Sequence, residues 1–358
     1  MYHYDLTRLK NCMRRASQGG ELTIGFFGGS ITQGCAAETH ENCFACRVFH
    51  WWEEAFPQAR FHYVNGGIGG TTSHFGAARL VPDLLMYQPD FVVIDFSVND
   101  TADAFFQETC EGVIRRILRW PSAPAVVLLH NVYYDSGESA EEPHREIGRH
   151  YHLPSVSVRE TIYRRMLAGE FTRTQLTSDG LHPNDFGHGL IASEITAFLE
   201  NVRTHMDEPE KAQSLPAPLT ANAYEHARRL TIREASPELR GFRADAREKT
   251  GHLDCFKNGW IGSKPGDSIR FEVEASCIAA QYRRTIQKPA LAARLVLDGD
   301  TEHAVLLDGN FDEDWDNCLA LAPVLHHGRR ETHTVEITVE PSDAEQPQPF
   351  YLLSLILA

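Results

Sequence analysis

The sequence predicts a two-part α/β protein: a three-layer sandwich around a central parallel sheet, followed by a smaller antiparallel β-sandwich. Up to residue 205, short apolar runs alternate with amphipathic segments of helical spacing, which is typical of parallel βαβ units. After a stretch rich in proline and charge at 206–220, short strand candidates follow one another between turn signals, as in antiparallel sandwiches. We therefore expect a first domain at 1–205, a linker at 206–220 and a second domain at 221–358.

The strands and helices of the first domain follow from local composition. Its strand candidates are apolar runs rich in β-branched and aromatic residues, as expected for strands buried on both faces, and they occupy 22–28, 60–67, 91–98, 125–134 and 155–158. Its helix candidates show amphipathic spacing and occupy 45–56, 74–88, 105–120, 141–152 and 189–206. Pro82 predicts a local break in the second of these helices, and Pro143 suits the first turn of the fourth.

Composition and charge exclude several classes of protein. The chain has 358 residues, of which 42% are hydrophobic and 23% charged, as in ordinary globular proteins. A formal net charge of −15 argues against nucleic acid or an anionic membrane as the main partner, because both attract basic patches. No apolar stretch reaches the roughly 20 residues of a membrane span, and the first residues lack a signal-peptide pattern. We predict a cytoplasmic protein with a small-molecule substrate, and a homo-oligomer is left open.

The eight cysteines are scattered along the chain, which favours free thiols over a disulfide framework. Cys43 and Cys46 form a single CxxC, with Cys35, His40 and His50 nearby, so a zinc or redox site is the alternative to packing. The segment that follows has helical spacing and no second CxxC exists. We therefore favour packing for this pair and expect no metal.

Small and polar residues follow the predicted strands. They are Gly-Gly-Ser at 28–30, NGGIGGTT at 65–72, SVND at 97–100 and, in a loop before the last helix, SDGLHP at 178–183. Taken singly, each could be an ordinary loop, a turn or a helix cap. Because the carboxyl ends of parallel strands meet at one edge of a sheet, where ligands bind, the four segments together favour a functional site.

The residue types in these segments suit attack on an ester. A serine hydroxyl such as that of Ser30 is a weak nucleophile and needs a base, for which His182 and an orienting Asp179 are available in one loop. The oxyanion that forms needs preorganised donors. The backbone N–H groups of Ser30 and Gly70 and the side chain of Asn99 can supply them. NGGIGGTT lacks both the GxGxxG order and the P-loop lysine, which disfavours nucleotide binding.

These blocks resemble those of the SGNH, or GDSL-type, hydrolases over about residues 20–205. GGSIT is similar to the family's nucleophile block, NGGIGGTT to its glycine block, SVND to its asparagine block and SDGLHP to its DxxH block. The resemblance implies a flavodoxin-like three-layer sandwich and a serine esterase without metal or organic cofactor. It implies that Ser30 is the nucleophile and that Gly70 and Asn99 are oxyanion donors. It also implies that Asp179 is the orienting carboxylate and His182 the base.

The chain departs from the family pattern at two places. Gly29 stands where an aspartate usually precedes the serine, and Ser97-Val98 replaces the glycine that usually precedes the asparagine. Because the reacting groups remain, these departures indicate a GGSIT/SVND subgroup rather than a lost site. Gly69 competes with Gly70 as the backbone donor, and we prefer Gly70 for its position before the threonine.

The substrate is predicted from the same resemblance. Family members with an accessory β-domain are often carbohydrate esterases, which implies an O-acetylated oligosaccharide as substrate and an acyl-Ser30 intermediate. The alternatives are a lipase or acyl-thioesterase acting on longer chains, and a non-catalytic sugar-binding protein that retained the fold.

The second domain offers aromatic and acidic residues with two interpretations. Two interpretations, stacking on sugar rings and packing in the sandwich core, apply to Trp260, Tyr282, Phe311 and Trp315. We favour packing. The acidic stretch 308–317 only loosely resembles a calcium loop, because it lacks the loop's glycine and terminal glutamate. We therefore do not expect calcium there.

Overall fold

The computed structural model describes residues 4–313 and 315–358. The chain divides into two compact units, Met1–Glu225 and His226–Ala358. The helices of the first unit, α1 to α9, are Thr7–Ser17, Ser30–Gln33, Phe44–Ala55, Ser73–Asp83, Ala104–Leu118, Glu141–His150, Arg164–Leu167, Arg173–Leu176 and Asp185–Thr204. Its strands, β1 to β5, are Glu21–Gly28, Arg60–Asn65, Phe91–Asp95, Ala125–His130 and Ser155–Ser157.

The five strands of the first unit form one parallel sheet in the order β2-β1-β3-β4-β5. This is the order of flavodoxin-like sheets, in which ligands bind where the strand order reverses. The reversal lies at β1 and β3, which are neighbours in the sheet. The predicted α/β fold with a central parallel sheet is confirmed, and the carboxyl ends of β1 and β3 lie side by side.

Two of the three interior strands, β3 and β4, are buried at every position, as their continuous apolar runs predict. β3 and β4 have no intermediate or exposed residue. β3 ends at Asp95 rather than at the predicted residue 98, because the chain turns back there: the N–H groups of Asn99 and Asp100 both donate to the carbonyl of Phe96 at 3.0 Å. The polar residues after β3 therefore belong to a turn at the sheet edge.

Helix boundaries differ from the prediction where a cap or a tertiary contact decides them. Helix α9 begins at Asp185 rather than at 189 because the side chain of Asn184 accepts hydrogen bonds from the first turn. Helix α4 ends one residue after Pro82. Helix α1 is an addition to the prediction, although its buried Leu9, Cys12, Met13 and Ala16 have the spacing of one helix face.

Residues 206–220 form neither helix nor strand, yet parts of the stretch bind the first unit. The N–H of Gln213 donates to Asp5 at 2.7 Å, and the carbonyl of Pro216 accepts from Arg115 at 2.9 Å. The N–H of Thr220 donates to the buried Glu111 at 2.8 Å. These contacts tie the stretch to helix α5 and to the residues before α1, within the same unit.

The second unit contains antiparallel strands in two sheets. Its strands, β6 to β16, are Arg228–Leu230, Glu238–Arg240, Arg243–Ala244, Trp260–Gly262, Ser268–Ala275, Ile278–Arg284, Ala293–Leu297, Asp300–Leu307, Cys318–Leu325, Glu331–Val339 and Phe350–Leu357. One sheet has the order β13-β12-β15-β10-β7 and the other β14-β11-β16-β9-β8, with β6 also paired to β16. Both sheets contribute to one apolar core, which confirms the predicted antiparallel β-sandwich.

Three of the four aromatic residues singled out in this unit belong to its interior. Trp260, Tyr282 and Phe311 are at most 8% exposed, as the packing interpretation predicts. Trp315 is 49% exposed and lies edge-on against Phe311, with ring centroids 5.0 Å apart. The calcium alternative at 308–317 includes Asp314, which lies outside the described residues.

Across residues 4–313 and 315–358, every helix is too short or too polar to cross a membrane.

A buried histidine joins the start of α9 to the segment that follows α2. His188 is fully buried, its Nδ1 accepts the N–H of Phe44 at 3.3 Å and its Nε2 donates to the carbonyl of Cys35 at 3.1 Å. Because Nδ1 can accept a hydrogen bond only when it carries no proton, the contact with Phe44 requires the neutral imidazole. Burial lowers the pKa of His188 to about 4, although the carbonyl of Cys35 opposes the shift.

Acid should therefore destabilise the fold through His188. Its folded pKa lies below the ordinary histidine value, so its contribution is complete above about pH 6.5 and is lost as the pH falls towards 4. We expect His188→Gln, whose amide can keep both contacts, to reduce the loss of unfolding free energy between pH 7 and pH 4.5 by about 2–3 kcal/mol. Urea unfolding of the full chain measures this. His205→Gln, at the exposed end of the same helix, should reproduce the wild-type loss, and an unchanged loss in His188→Gln would contradict the assignment.

Candidate active site

Ser30 lies immediately beyond the end of β1, at the start of the short helix α2. The strand ends at Gly28, and the N–H of Gly29 donates to the carbonyl of Asp95, on the neighbouring strand, at 3.3 Å. The carbonyl of Ser30 then accepts from the N–H groups of Gly34 and Cys35 at 3.1 and 3.0 Å. This sharp turn holds Ser30, which is 6% exposed, at the carboxyl edge of the sheet.

Three of the predicted site residues form one hydrogen-bonded chain. Ser30 Oγ lies 2.8 Å from His182 Nε2. His182 Nδ1 lies 2.6 Å from Asp179 Oδ2. A hydroxyl, an imidazole and a carboxylate in this order allow the imidazole to take the serine proton while the carboxylate holds its second nitrogen protonated.

Asp179 is held as a carboxylate by donors from its own loop. Burial alone would raise its pKa, but the hydrogen bond from the His182 ring and the backbone N–H groups of Leu181 and His182 outweigh it and lower the pKa of Asp179 below its usual range. The two N–H groups donate to Asp179 Oδ1 at 2.9 and 2.8 Å, and the Thr177 hydroxyl donates at 2.9 Å. The negative charge that steadies a protonated His182 is therefore preorganised.

The Asp179–His182 loop is anchored at both sides. The carbonyl of Gly180 accepts from the N–H of Tyr134, which follows β4, at 2.7 Å. Gly180 has φ +82°, and a side chain there would meet Asp135 at 2.0 Å. Asn184 then caps α9. The loop thus joins the sheet edge to the last helix of the unit.

Asn99 packs against Gly29, the residue that precedes Ser30. A methyl group on Gly29 would lie 2.1 Å from Asn99 Oδ1 and 2.9 Å from Asn99 Cγ. Only glycine permits this approach. The departure from the usual aspartate at this position thus coincides with close packing of Asn99 against the nucleophile turn.

The segment after β2 also reaches Ser30, and its geometry bears on the choice between Gly69 and Gly70. Gly69 lies so close that a side chain there would be 3.7 Å from Ser30 Cβ. Its N–H already donates to Gln33 Oε1 at 2.7 Å. Gly70 follows with φ +63°, a conformation that favours glycine. Because Gln33 occupies the first N–H, the arrangement favours Gly70 as oxyanion donor, and this role stays a prediction.

The CxxC segment behaves as a helix cap with buried thiols. Cys43 is the N-cap residue of α3, and its sulfur accepts the N–H of Cys46 at 3.5 Å. Burial raises the pKa of both thiols, that of Cys46 to about 11. Thiolates, not thiols, bind metals and react in redox exchange. Packing therefore accounts for this pair better than a zinc or redox site.

One buried group of side chains in the first unit has the composition of a metal site. Asp100, Cys110 and His144 bring potential ligand atoms within 4.8 Å of one another. However, Asp100 Oδ2 and His144 Nε2 lie 3.1 Å apart, the distance of a hydrogen bond between them. The group therefore fits a hydrogen-bonded carboxylate–imidazole pair, and we assign it no metal.

Sequence reasoning missed a second buried carboxylate beneath the nucleophile turn. Asp95, at the end of β3, accepts from Asn131 Nδ2 at 2.9 Å and from the hydroxyls of Ser97 and Thr32 at 3.4 Å each. Burial raises the pKa of Asp95 to about 6 despite these hydrogen bonds. The signal was present in the sequence, since a carboxylate ends an otherwise apolar strand. No comparable sequence signal marks Gln33, whose side chain accepts the N–H of Gly69.

Comparison with known proteins agrees with this geometry. The model of the GDSL-like lipase/acylhydrolase family matches residues 26–190, which include all five predicted site residues. The chain shares 47% sequence identity with a two-domain esterase active on acetylated mannans, whose crystal structure was determined with mannopentaose. The two structures superpose with a TM-score of 0.96. That similarity covers 99% of this chain and 95% of the esterase. The chain belongs to the GDSL-like lipase/acylhydrolase family. It is a carboxylic ester hydrolase, as predicted.

A more distant relative matches only part of this GDSL-like hydrolase. Thioesterase 1/protease 1/lysophospholipase L1 of Escherichia coli strain K12 is 27% identical over 158 residues. The match covers 41% of this chain and 72% of the E. coli protein. The two-domain esterase, in contrast, extends over both units of the chain.

Gly29 should be essential to the turn of this GDSL-like hydrolase. We expect Gly29→Ala to reduce kcat on 4-nitrophenyl acetate on the order of 100-fold, because the added methyl displaces Asn99 from the developing oxyanion. Steady-state kinetics measure the effect, and circular dichroism confirms the fold. Gly251→Ala is the matched control, since no heavy atom lies within 4 Å of the added methyl group. Equal kcat values in the two variants would contradict the prediction.

Proposed function

We propose that this hydrolase removes O-acetyl groups from acetylated manno-oligosaccharides through a covalent acyl-Ser30 intermediate, with catalysis in the first unit. The observation that carries the chemistry is the chain of hydrogen bonds from Ser30 through His182 to Asp179. The substrate is supported by similarity along both units to an esterase active on acetylated mannans.

The first half of the proposed reaction forms the acyl-enzyme. His182 Nε2 accepts the proton of Ser30 Oγ as the oxygen attacks the acetyl carbonyl carbon. Asp179 holds Nδ1 protonated and stabilises the imidazolium. The backbone N–H groups of Ser30 and Gly70 and the Asn99 amide donate to the oxyanion. When the tetrahedral intermediate collapses, its bond to the sugar oxygen breaks and His182 gives that oxygen its proton.

The second half releases acetate. Water enters beside His182, which takes one of its protons while the oxygen attacks the acetyl-Ser30 carbonyl carbon. The same donors hold the second oxyanion, and collapse breaks the bond to Ser30 Oγ, which recovers its proton from His182. Water is the sole co-reactant. The chain's own residues supply every step, without metal or organic cofactor.

The two alternative functions have weaker support. A lipase or acyl-thioesterase finds support in the E. coli thioesterase, but that likeness covers 41% of this chain. A non-catalytic sugar-binding protein would not need Ser30, His182 and Asp179 aligned at hydrogen-bond distances.

We further propose that the protein acts in the cytoplasm, on imported oligosaccharides. All eight cysteines are free, which suits a compartment where thiols stay reduced.

Acetate release from a matched panel of oligosaccharides tests the proposed function. We expect the highest kcat/KM on acetylated manno-oligosaccharides, lower values on acetylated xylo- and gluco-oligosaccharides, and no release by Ser30→Ala, which lacks the nucleophile. Ser193→Ala, which removes an exposed hydroxyl on α9, is the control and should keep wild-type rates. Retained activity in Ser30→Ala would sink the nucleophile assignment, whereas a preference for xylo-oligosaccharides would sink only the mannan assignment.

The length of the acyl chain separates an acetylesterase from a lipase. Because the proposed substrate carries acetyl groups, we expect kcat/KM for nitrophenyl esters to fall at least about 10-fold from acetyl to butyryl. It should fall further to octanoyl. Hydrolysis rates below the micelle concentration of each ester provide the measurement. A rise in kcat/KM with chain length would favour the lipase or thioesterase alternative.

A further inference from the structure

We propose that Asp100 and His144 act as a positioning pair that sets the geometry of the oxyanion hole by joining its two donor segments. The inference rests on the proposed function, because it assigns Gly70 and Asn99 as donors. Neither residue of the pair is proposed to touch the substrate.

Asp100 is linked to both donor segments at once. It follows Asn99 directly, and the N–H groups of both residues donate to the carbonyl of Phe96 at 3.0 Å. Its Oδ1 accepts the N–H of Ser73 at 2.8 Å. Ser73 is the first residue of α4 and lies three residues after Gly70. A displacement of Asp100 would therefore move the Asn99 turn relative to the Gly70 segment.

The Gly70 segment is held on each side of its proposed donor. Gln33 accepts the N–H of Gly69 at 2.7 Å, and Asp100 accepts that of Ser73 at 2.8 Å. Between them, the Thr71 hydroxyl donates to the carbonyl of Ile68 at 2.6 Å. The Gly70 N–H is thus placed by two side-chain acceptors from different strand ends.

His144 completes the pair from helix α6. It is 3% exposed, and its Nε2 lies 3.1 Å from Asp100 Oδ2. Burial alone would lower its pKa, but contact with Cys110 and with Asp100 raises the pKa of His144 to about 10. A buried carboxylate without a partner would be strongly destabilising. The imidazole therefore gives the buried carboxylate of Asp100 a partner and holds it in one orientation.

This arrangement matters for catalysis because oxyanion donors act by preorganisation. They must already lie about 3 Å from the place where the negative charge develops, and a misplacement of about 1 Å can cost on the order of 100-fold in rate. Substrate binding depends much less on these donors. A purely structural pair would lower the stability of the unit and leave the kcat of the folded enzyme intact, whereas a positioning pair lowers kcat with little change in KM.

Steady-state kinetics of Asp100 and His144 variants test the proposal with 4-nitrophenyl acetate. We expect Asp100→Ala to lower kcat about 10- to 100-fold with KM changed less than about 3-fold. Asp100→Asn, which keeps an acceptor for the Ser73 N–H, should recover most of the loss. His144→Gln should lower kcat by an intermediate factor. Thermal unfolding identifies the folded variants, and if Asp100→Ala is not folded, His144→Gln decides.

A double-mutant cycle on kcat distinguishes positioning of the oxyanion donors from a purely structural role. If Asp100 acts through the oxyanion donors, its removal should cost less kcat in an Asn99→Ala background than in the wild type, so the two effects combine less than multiplicatively. Fully multiplicative effects would overturn the proposal. So would a wild-type kcat in folded His144→Gln or in folded Asp100→Ala.

The second unit offers a matched control pair. Asp298 accepts from Thr334 N–H at 2.7 Å through one oxygen, and its other oxygen lies 2.7 Å from Nδ1 of the buried His333. Asp298→Asn and His333→Gln should leave kcat unchanged. Failure of the proposed function appears separately, as activity retained by Ser30→Ala. Failure of the positioning pair appears as unchanged kcat in the Asp100 and His144 variants while Ser30→Ala is inactive.

Discussion

The site depends on one close approach, between the ends of β1 and β3. Gly28 and Asp95 are paired in the parallel register, and the N–H of Gly29 donates to the carbonyl of Asp95 at 3.3 Å. A side chain on Gly28 would meet that carbonyl at 2.2 Å, and one on Gly29 would meet Asn99 at 2.1 Å. Because both residues lack a side chain, the nucleophile turn and the asparagine turn lie against each other without strain.

This approach fixes two of the segments, and the remaining groups are brought to them by longer connections. His182 reaches Ser30 across 152 residues of sequence, on a loop held by the Tyr134 N–H and by the cap of α9. The four hydrogen bonds that Asp179 accepts keep it ionised before substrate arrives. In the proposed reaction, preorganised charge of this kind needs no rearrangement, so it lowers the barrier rather than only binding substrate.

Local patterns predicted the sheet well and the supporting contacts poorly. The strands β3 and β4 are continuous apolar runs, and their burial follows directly from that. Asp100 illustrates the limit. A polar residue after a strand is an ordinary cap for the next helix, yet α5 is capped by Asp103, whose side chain accepts the N–H of Phe106. Asp100 instead accepts from Ser73. Such a partner, distant in sequence, is set by the packing of two loops, and neither periodicity nor propensity records it.

Both departures from the family pattern adjoin Asn99: Gly29 lies against its side chain, and Ser97 and Val98 directly precede it in the chain. Where other members carry a glycine before the asparagine, this chain has Ser97 and Val98, both buried. Ser97 Oγ donates to the carbonyl of Asn131 at 3.1 Å, which ties the turn after β3 to β4. Because this turn is filled and fixed, Asn99 has less freedom to move away from the turn at Ser30. The residue that faces the Asn99 side chain must therefore be small. Gly29, which lacks a side chain where relatives carry an aspartate, leaves the space that the Asn99 side chain occupies.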